Sequence, residues 1–155
     1  MIVRPLSKAE YSRLPDFLYE AIFLPEGVTP PDRSIVSRPE LALYYEGFGT
    51  GSVDLSMAAE ENEQLIGCAW ARIMQDYGHV DDETPSLAVA VLSPYRNRGI
   101  GTVLLKELLE SLRAHGFRKV SLSVQKENPA FHLYQRLGFE VIGETEEEYL
   151  MVCSL

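Results

Sequence analysis

The chain has 155 residues, 46% of them hydrophobic and 24% charged, with a formal net charge of −9. Such a length and composition predict a single globular domain, residues 1–155, and exclude a disordered or fibrous chain. The acidic balance argues against a nucleic-acid binder, which must neutralise phosphate with Lys and Arg, and no apolar run is long enough to cross a bilayer, so no membrane partner is expected.

The N-terminal MIVRPLSKAEYSRL lacks the basic-then-apolar pattern of a signal peptide, and a cytoplasmic location is the expectation. Ile2 to Arg4 reads as a short strand. Ser7 and Glu10 have the spacing of a capping box. Leu14, Phe17, Leu18 and Ile22 then recur at helical spacing, with Pro15 disturbing that helix unless a first turn re-forms there. The Pro- and Gly-rich Leu24 to Ser34 reads as a loop. Pro39 opens a second helical stretch, PELALYYEGFG, ending at Gly47 and Gly49. Val53 to Glu60 and Leu65 to Met74 are strand-like, and the polar EENEQ between them predicts an antiparallel hairpin.

After the loop DYGHVDDETPS, the apolar Ser86 to Ser93 predicts a strand buried on both faces. From Gly101 to His115, Leu104, Leu105, Leu108, Leu109 and Leu112 form one helical stripe that Gly116 closes. Lys119 to Gln125 is a strand with alternating Val120, Leu122 and Val124. Asn128-Pro129 starts a further helix that Gly138 stops, and Phe139 to Ile142 and Glu148 to Cys153 give two last strands around the acidic GETEEE. The order predicts a mixed α/β fold, with a parallel crossover from the Ser86–Ser93 strand to the Lys119–Gln125 strand. Cys68 and Cys153 lie in apolar strand-like runs and read as buried thiols; no His or Cys spacing suggests a metal.

The stretch SPYRNRGIGTVLL, Ser93 to Leu105, carries the main chemical signal. A helix N-terminus has unpaired N–H groups and partial positive charge. Gly99 and Gly101 remove side-chain bulk there, Arg96 and Arg98 add positive charge, and Thr102 adds a hydroxyl, so the turn reads as an anion cradle. No GxxxxGK[ST] is present, Leu104 stands where a GxGxxG would need its third glycine, and the residues beyond are basic; neither a nucleoside triphosphate nor NAD is favoured.

The spacing Arg96-x-x-Gly99-x-Gly101 resembles the acyl-CoA pyrophosphate motif of the GCN5-related N-acetyltransferase (GNAT) superfamily. VLSPYRNRGIG is similar to that family's V-x-P-x-Y-R-x-x-G-x-G run, with the proline one place later at Pro94 and Ser93 in its usual position. Asn128 to Phe139, NPAFHLYQRLGF, resembles the family's N-x-x-A/S-x-x-x-Y-x-x-x-G-F element, with Ala130 as the small residue. The two elements cover Leu87 to Phe139. The resemblance implies a mostly antiparallel sheet with splayed strands around the parallel crossover and helices on both faces.

It also implies an N-acetyltransferase that takes acetyl-CoA as co-substrate, with no metal, and transfers its acyl group to an amine in a ternary complex. The backbone of Arg96, Asn97, Arg98, Gly99, Ile100, Gly101 and Thr102 would wrap the diphosphate. The main chain at Val89 and Val91 would pair with the pantetheine arm and meet the developing oxyanion. Asn128 is a good helix cap in its own right and a cofactor contact by the resemblance, and Phe131 flanks the cofactor or belongs to the core. Tyr134 would be the general acid for the departing thiolate. Glu83 is the nearest Glu for a general base and Ser86 a holder of a relay water, with the acidic run around Glu83 equally readable as a solvated loop. Tyr44, Tyr45, Glu46 and Trp70-Ala71-Arg72 are candidate lining of the acceptor pocket. The net charge favours a cationic small-molecule amine. A catalytically silent CoA-binding sensor and acetylation of a protein N-terminus or lysine remain open, as does a homodimer.

Overall fold

A computed structural model of the chain describes residues 1–51 and 53–155. Its seven strands form one sheet in the order β1-β2-β3-β4-β5-β7-β6. In chain order these are β1 Ile2–Arg4, β2 Leu55–Glu61, β3 Gln64–Arg72, β4 Ser86–Val91, β5 Lys119–Gln125, β6 Glu140–Glu144 and β7 Glu148–Ser154. The α-helices are α1 Leu14–Ala21, α2 Pro39–Ala42, α3 Ile100–Ala114 and α4 Ala130–Arg136. All neighbouring strands run antiparallel except β4 and β5.

Alternation along β2 and β3 divides the core into two layers. Ala59, Ile66, Ala69 and Ala71 pack with the α3 stripe of Leu104, Leu105, Leu108 and Leu112. Ala58, Cys68 and Trp70 face the other way and pack with Leu14, Phe17 and Leu18 of α1. The helices therefore cover both faces, with Tyr134 of α4 on the α3 side. The β2–β3 hairpin turns on Asn62 and Glu63, at φ 52° and 64°, a left-handed pair suited to a two-residue primed turn.

Local chemistry explains where elements depart from expectation. Ser7 and Glu10 do form a capping box, but it opens a 3₁₀ turn, Lys8–Arg13, and α1 restarts at Leu14 with Pro15 in its first turn. α2 is one turn long rather than reaching Gly47, because the next carbonyls are taken from β3. Trp70 donates to the Tyr44 oxygen at 2.9 Å, and Arg72 donates to the oxygens of Leu43 and Glu46. β2 begins at Leu55 rather than Val53, since Asp54 accepts from Gly49, Gly51 and Arg72 instead of joining the ladder. β4 stops at Val91, where Ser93–Tyr95 closes a 3₁₀ turn.

The parallel pair is the exception in an otherwise continuous sheet. The only register partners between β4 and β5 are Ser86 and Ser121. Beyond them the strands separate. Leu92 donates its N–H to Ile66 on the β3 side, whereas Pro85 accepts from Ser121 on the β5 side. Strand alternation then turns the amides of Val89 and Val91 into the gap. Among the described residues no helix is long and apolar enough to cross a membrane.

Candidate active site

The loop from β4 to α3 turns its backbone tightly into a helix start. Asn97 and Gly99 both adopt left-handed backbone, at φ 64° and 77°, which bends successive amides to one side. Gly99 is the N-cap of α3 and no side chain caps that end, so the first N–H groups of the helix are left for a ligand. A Cβ placed on Gly99 would stand in open space, and one on Gly101 would meet only Val91 at 3.9 Å. The glycines thus leave room beside the backbone, and both line the cleft. The arginines are not free charges. Arg96 Nε donates to the Val91 oxygen at 2.9 Å and its Nη2 to the Glu20 oxygen at 3.1 Å, tying the end of β4 to α1. Arg98 pairs with Glu61 at 3.0 Å.

That loop forms one wall of a cleft of about 750 Å3. Val89 and Val91, Arg96, Asn97, Gly99 to Thr102, Asn128 and Tyr134 line it, as do Tyr19 to Leu24 at the end of α1 and beyond. A second cavity of about 250 Å3 adjoins it and shares Val89, Asn128, Tyr134 and Ala21 to Phe23. The two cavities meet where β4 and β5 part.

Tyr134 stands at that junction. It is 8% exposed, its ring meets Phe139 edge-on, and burial pushes its hydroxyl up to about 12, so it holds its proton at neutral pH. Asn128 lies two residues ahead of α4, accepting the Ala130 N–H on Oδ1 at 2.9 Å, while also lining both cavities. Asn128 and Tyr134, in the run NPAFHLY, are thereby brought to one place.

Other expected residues lie elsewhere. Phe131 stacks on Tyr149, ring centres 4.9 Å apart, outside the lining of either cavity. Glu83 is exposed on a turn, its N–H donated to Asp81, and Ser86 is buried with its hydroxyl donated to Asp76 at 2.8 Å. Neither lines the cleft or the second cavity. Of the aromatic candidates, Tyr44 lines the second cavity. Tyr45 instead donates to Val36, Trp70 is buried against Tyr44, and Arg72 pairs with Asp54 at 3.1 Å.

Sequence reasoning missed Glu148. It is half-buried at the start of β7, opposite Gln125, and lines the second cavity. Burial, then the neighbouring Glu147, raises its carboxyl above the usual carboxylate range. In sequence it hides in an acidic run. The signal that exposes it is alternation, which sets Glu148, Leu150 and Val152 on one face and Met151 and Cys153 on the other. Among the described residues no three His, Cys, Asp or Glu side chains gather as a metal site.

Comparison with known proteins places this architecture. The chain is 31% identical over 124 residues to the ribosomal-protein-bS18-alanine N-acetyltransferase of Haemophilus influenzae, covering 70% of this chain and 81% of that protein. It is 37% identical over 82 residues to the mycothiol acetyltransferase of Corynebacterium glutamicum, covering 52% of this chain and 26% of that protein, so it spans about a quarter of that relative's length. The fold matches PaiA N-acetyltransferase from Thermoplasma acidophilum, solved with coenzyme A, at a TM-score of 0.73 and 19% identity over 99% of this chain and 98% of that one. YncA from Salmonella typhimurium, solved with acetyl-CoA, matches at 0.70 and 21% identity over 100% of this chain and 94% of that one. Residues 21–139 match the acetyltransferase (GNAT) family. That match runs from the end of α1 to the end of the Tyr134 element and takes in both motifs and the parted strands: the chain belongs to the acetyltransferase (GNAT) family.

Proposed function

We propose that the 155 residues form a single N-acetyltransferase domain, cytoplasmic, that takes acetyl-CoA as co-substrate and a small amine as acceptor. The observation that carries the reading is the uncapped start of α3, opening on a cleft that ends at a buried, protonated phenol. The donor set fits the cofactor. Amides from Gly99 onward suit a diphosphate, the open space at Gly99 admits it, and the amides of Val89 and Val91 suit a polar arm lying along β4.

Acetyl-CoA, when bound, supplies a thioester whose acyl group the amine accepts as the C–N bond forms and the C–S bond breaks. Tyr134 holds a proton on its hydroxyl at the meeting of the two cavities, available to the departing sulfur. The amide of Val91 is an oxyanion donor held in place by β3 and by the Arg96 tie. Leu18, Ile22 and Leu87 supply apolar surface beside the reacting end.

The test is thiol release from acetyl-CoA across polyamines, amino acids, aminoglycosides and peptides, alongside calorimetric titration with coenzyme A. Micromolar or tighter binding with release on at least one amine is expected. Binding without release on any amine would leave a CoA sensor. No heat with coenzyme A would end the transferase reading.

A further inference from the structure

The acceptor side has two distinct ends. Tyr134 and Asn128 line the second cavity and the cofactor cleft, but not a third cavity of about 190 Å3 beneath the β6–β7 hairpin. Glu148, Tyr77 and Ser123 line the second and third cavities, but not the cofactor cleft. The phenol therefore stands on the side of the second cavity shared with the cleft and the carboxylate on the side shared with the third, and Leu18, Ile35 and Leu41 add aliphatic surface to the lining. At about 250 Å3 the space lies below the roughly 300–1,000 Å3 typical of drug-sized ligands.

Glu148 lacks a cation. Among the described residues its carboxylate enters no ion pair, and the nearby Lys126 is committed to Glu144 at 2.6 Å and to the ring of Tyr149. A half-buried carboxylate without a counter-charge is costly, and an ammonium group supplied from outside relieves that cost through charge-assisted hydrogen bonds. Tyr44 and Tyr77 also line this cavity, aromatic side chains of the kind that attract a cation.

We propose that Glu148 determines acceptor specificity by receiving a second, non-reacting ammonium group, so that the substrates are compact aliphatic diamines or oligoamines. The proposal rests on the transferase reading above. It differs from a general-base role, in which Glu148 would meet the reacting nitrogen and act on monoamines and diamines alike. Its place at the end of the cavity away from Tyr134 is what separates the two.

The experiment compares kcat/KM for putrescine and cadaverine with kcat/KM for n-butylamine and n-pentylamine, in the wild type and in Glu148→Gln. A charge-assisted contact is worth about 1.5–3 kcal/mol, so the wild type should prefer each diamine by roughly 10–100-fold, and the variant should reduce that ratio to less than about 3-fold. In parallel, putrescine is titrated calorimetrically into coenzyme-A-loaded protein, where the variant should bind about tenfold more weakly. An unchanged ratio with equal losses on both amine classes overturns the proposal in favour of a base, and so does an alanine-initiated peptide that outperforms every diamine. If no amine releases thiol but putrescine binding still depends on Glu148, the transfer reading fails and the acceptor site stands. If neither ratio nor binding responds, the Glu148 assignment fails and the transfer reading is untouched.

Discussion

Tyr134 stood out through the family resemblance together with its place in the helix that follows Asn128, and the structure sets both residues in the lining of the same two cavities. The phenol's proton stays on at neutral pH, as a donor to the departing sulfur requires, and burial pushes the hydroxyl up to about 12. Tyr134→Phe should lower kcat by about 10²–10⁴-fold with little change in acetyl-CoA affinity; unchanged turnover would remove the phenol from the mechanism. Gly99 was legible too, though for a reason the structure sharpens. Its φ of 77° makes any side chain there costly by about 1–2 kcal/mol, and the Cβ would stand in space the cleft needs. Gly99→Val should weaken coenzyme A binding at least about tenfold while the protein still folds, measured by calorimetry and thermal melting; equal affinity would show that the cradle is not where the ligand sits. Tyr19 and Phe23 of the cleft and Glu148 of the second cavity escaped notice because strand register and loop packing bring them in from distant segments, which no local pattern encodes.

Among the elements, those with a strong period were readable nearly to the residue. β5 spans Lys119–Gln125 as its alternation predicts, and the α3 stripe is buried throughout. Leu108 is fully buried between α3 and the sheet, so Leu108→Ala should cost about 2–5 kcal/mol, a fall in Tm of roughly 5–15 °C by calorimetry. α2 was misread because side chains from another strand, Trp70 and Arg72, compete for the carbonyls that would have continued it. The β1 end shows a similar tie. Arg4 bonds Glu10 at 2.7 Å and Glu60 at 2.7 Å, joining the first 3₁₀ turn to β2. The Arg4 guanidinium, then the Ser7 amide, holds the Glu10 carboxyl down at about 2. Since the folded value lies below the unfolded one, the stabilisation is complete above the unfolded value of about 4.5 and is lost as pH falls through about 2. Urea melts across that interval should show declining stability in the wild type and a flatter profile in Arg4→Met; parallel profiles would mean the tie contributes nothing.

At the scale of the whole molecule, the sheet has two wings, β1 to β4 and β5-β7-β6, whose strands touch at a single register pair. The mixed topology was legible from element order; the break was expected only through the family resemblance, since both strands are apolar runs that by themselves read as ordinary partners. Coenzyme A at about 100 times its Kd should raise stability by roughly 2.7 kcal/mol and slow deuterium uptake at Val89 and Val91. Stabilisation without that local slowing would put the ligand outside the gap. On the reading proposed above, in which the reactant closes this central seam, durability tracks supply: digested by a protease in a starved extract, the protein should disappear sooner than in a fed one, with no change in its sequence or its synthesis.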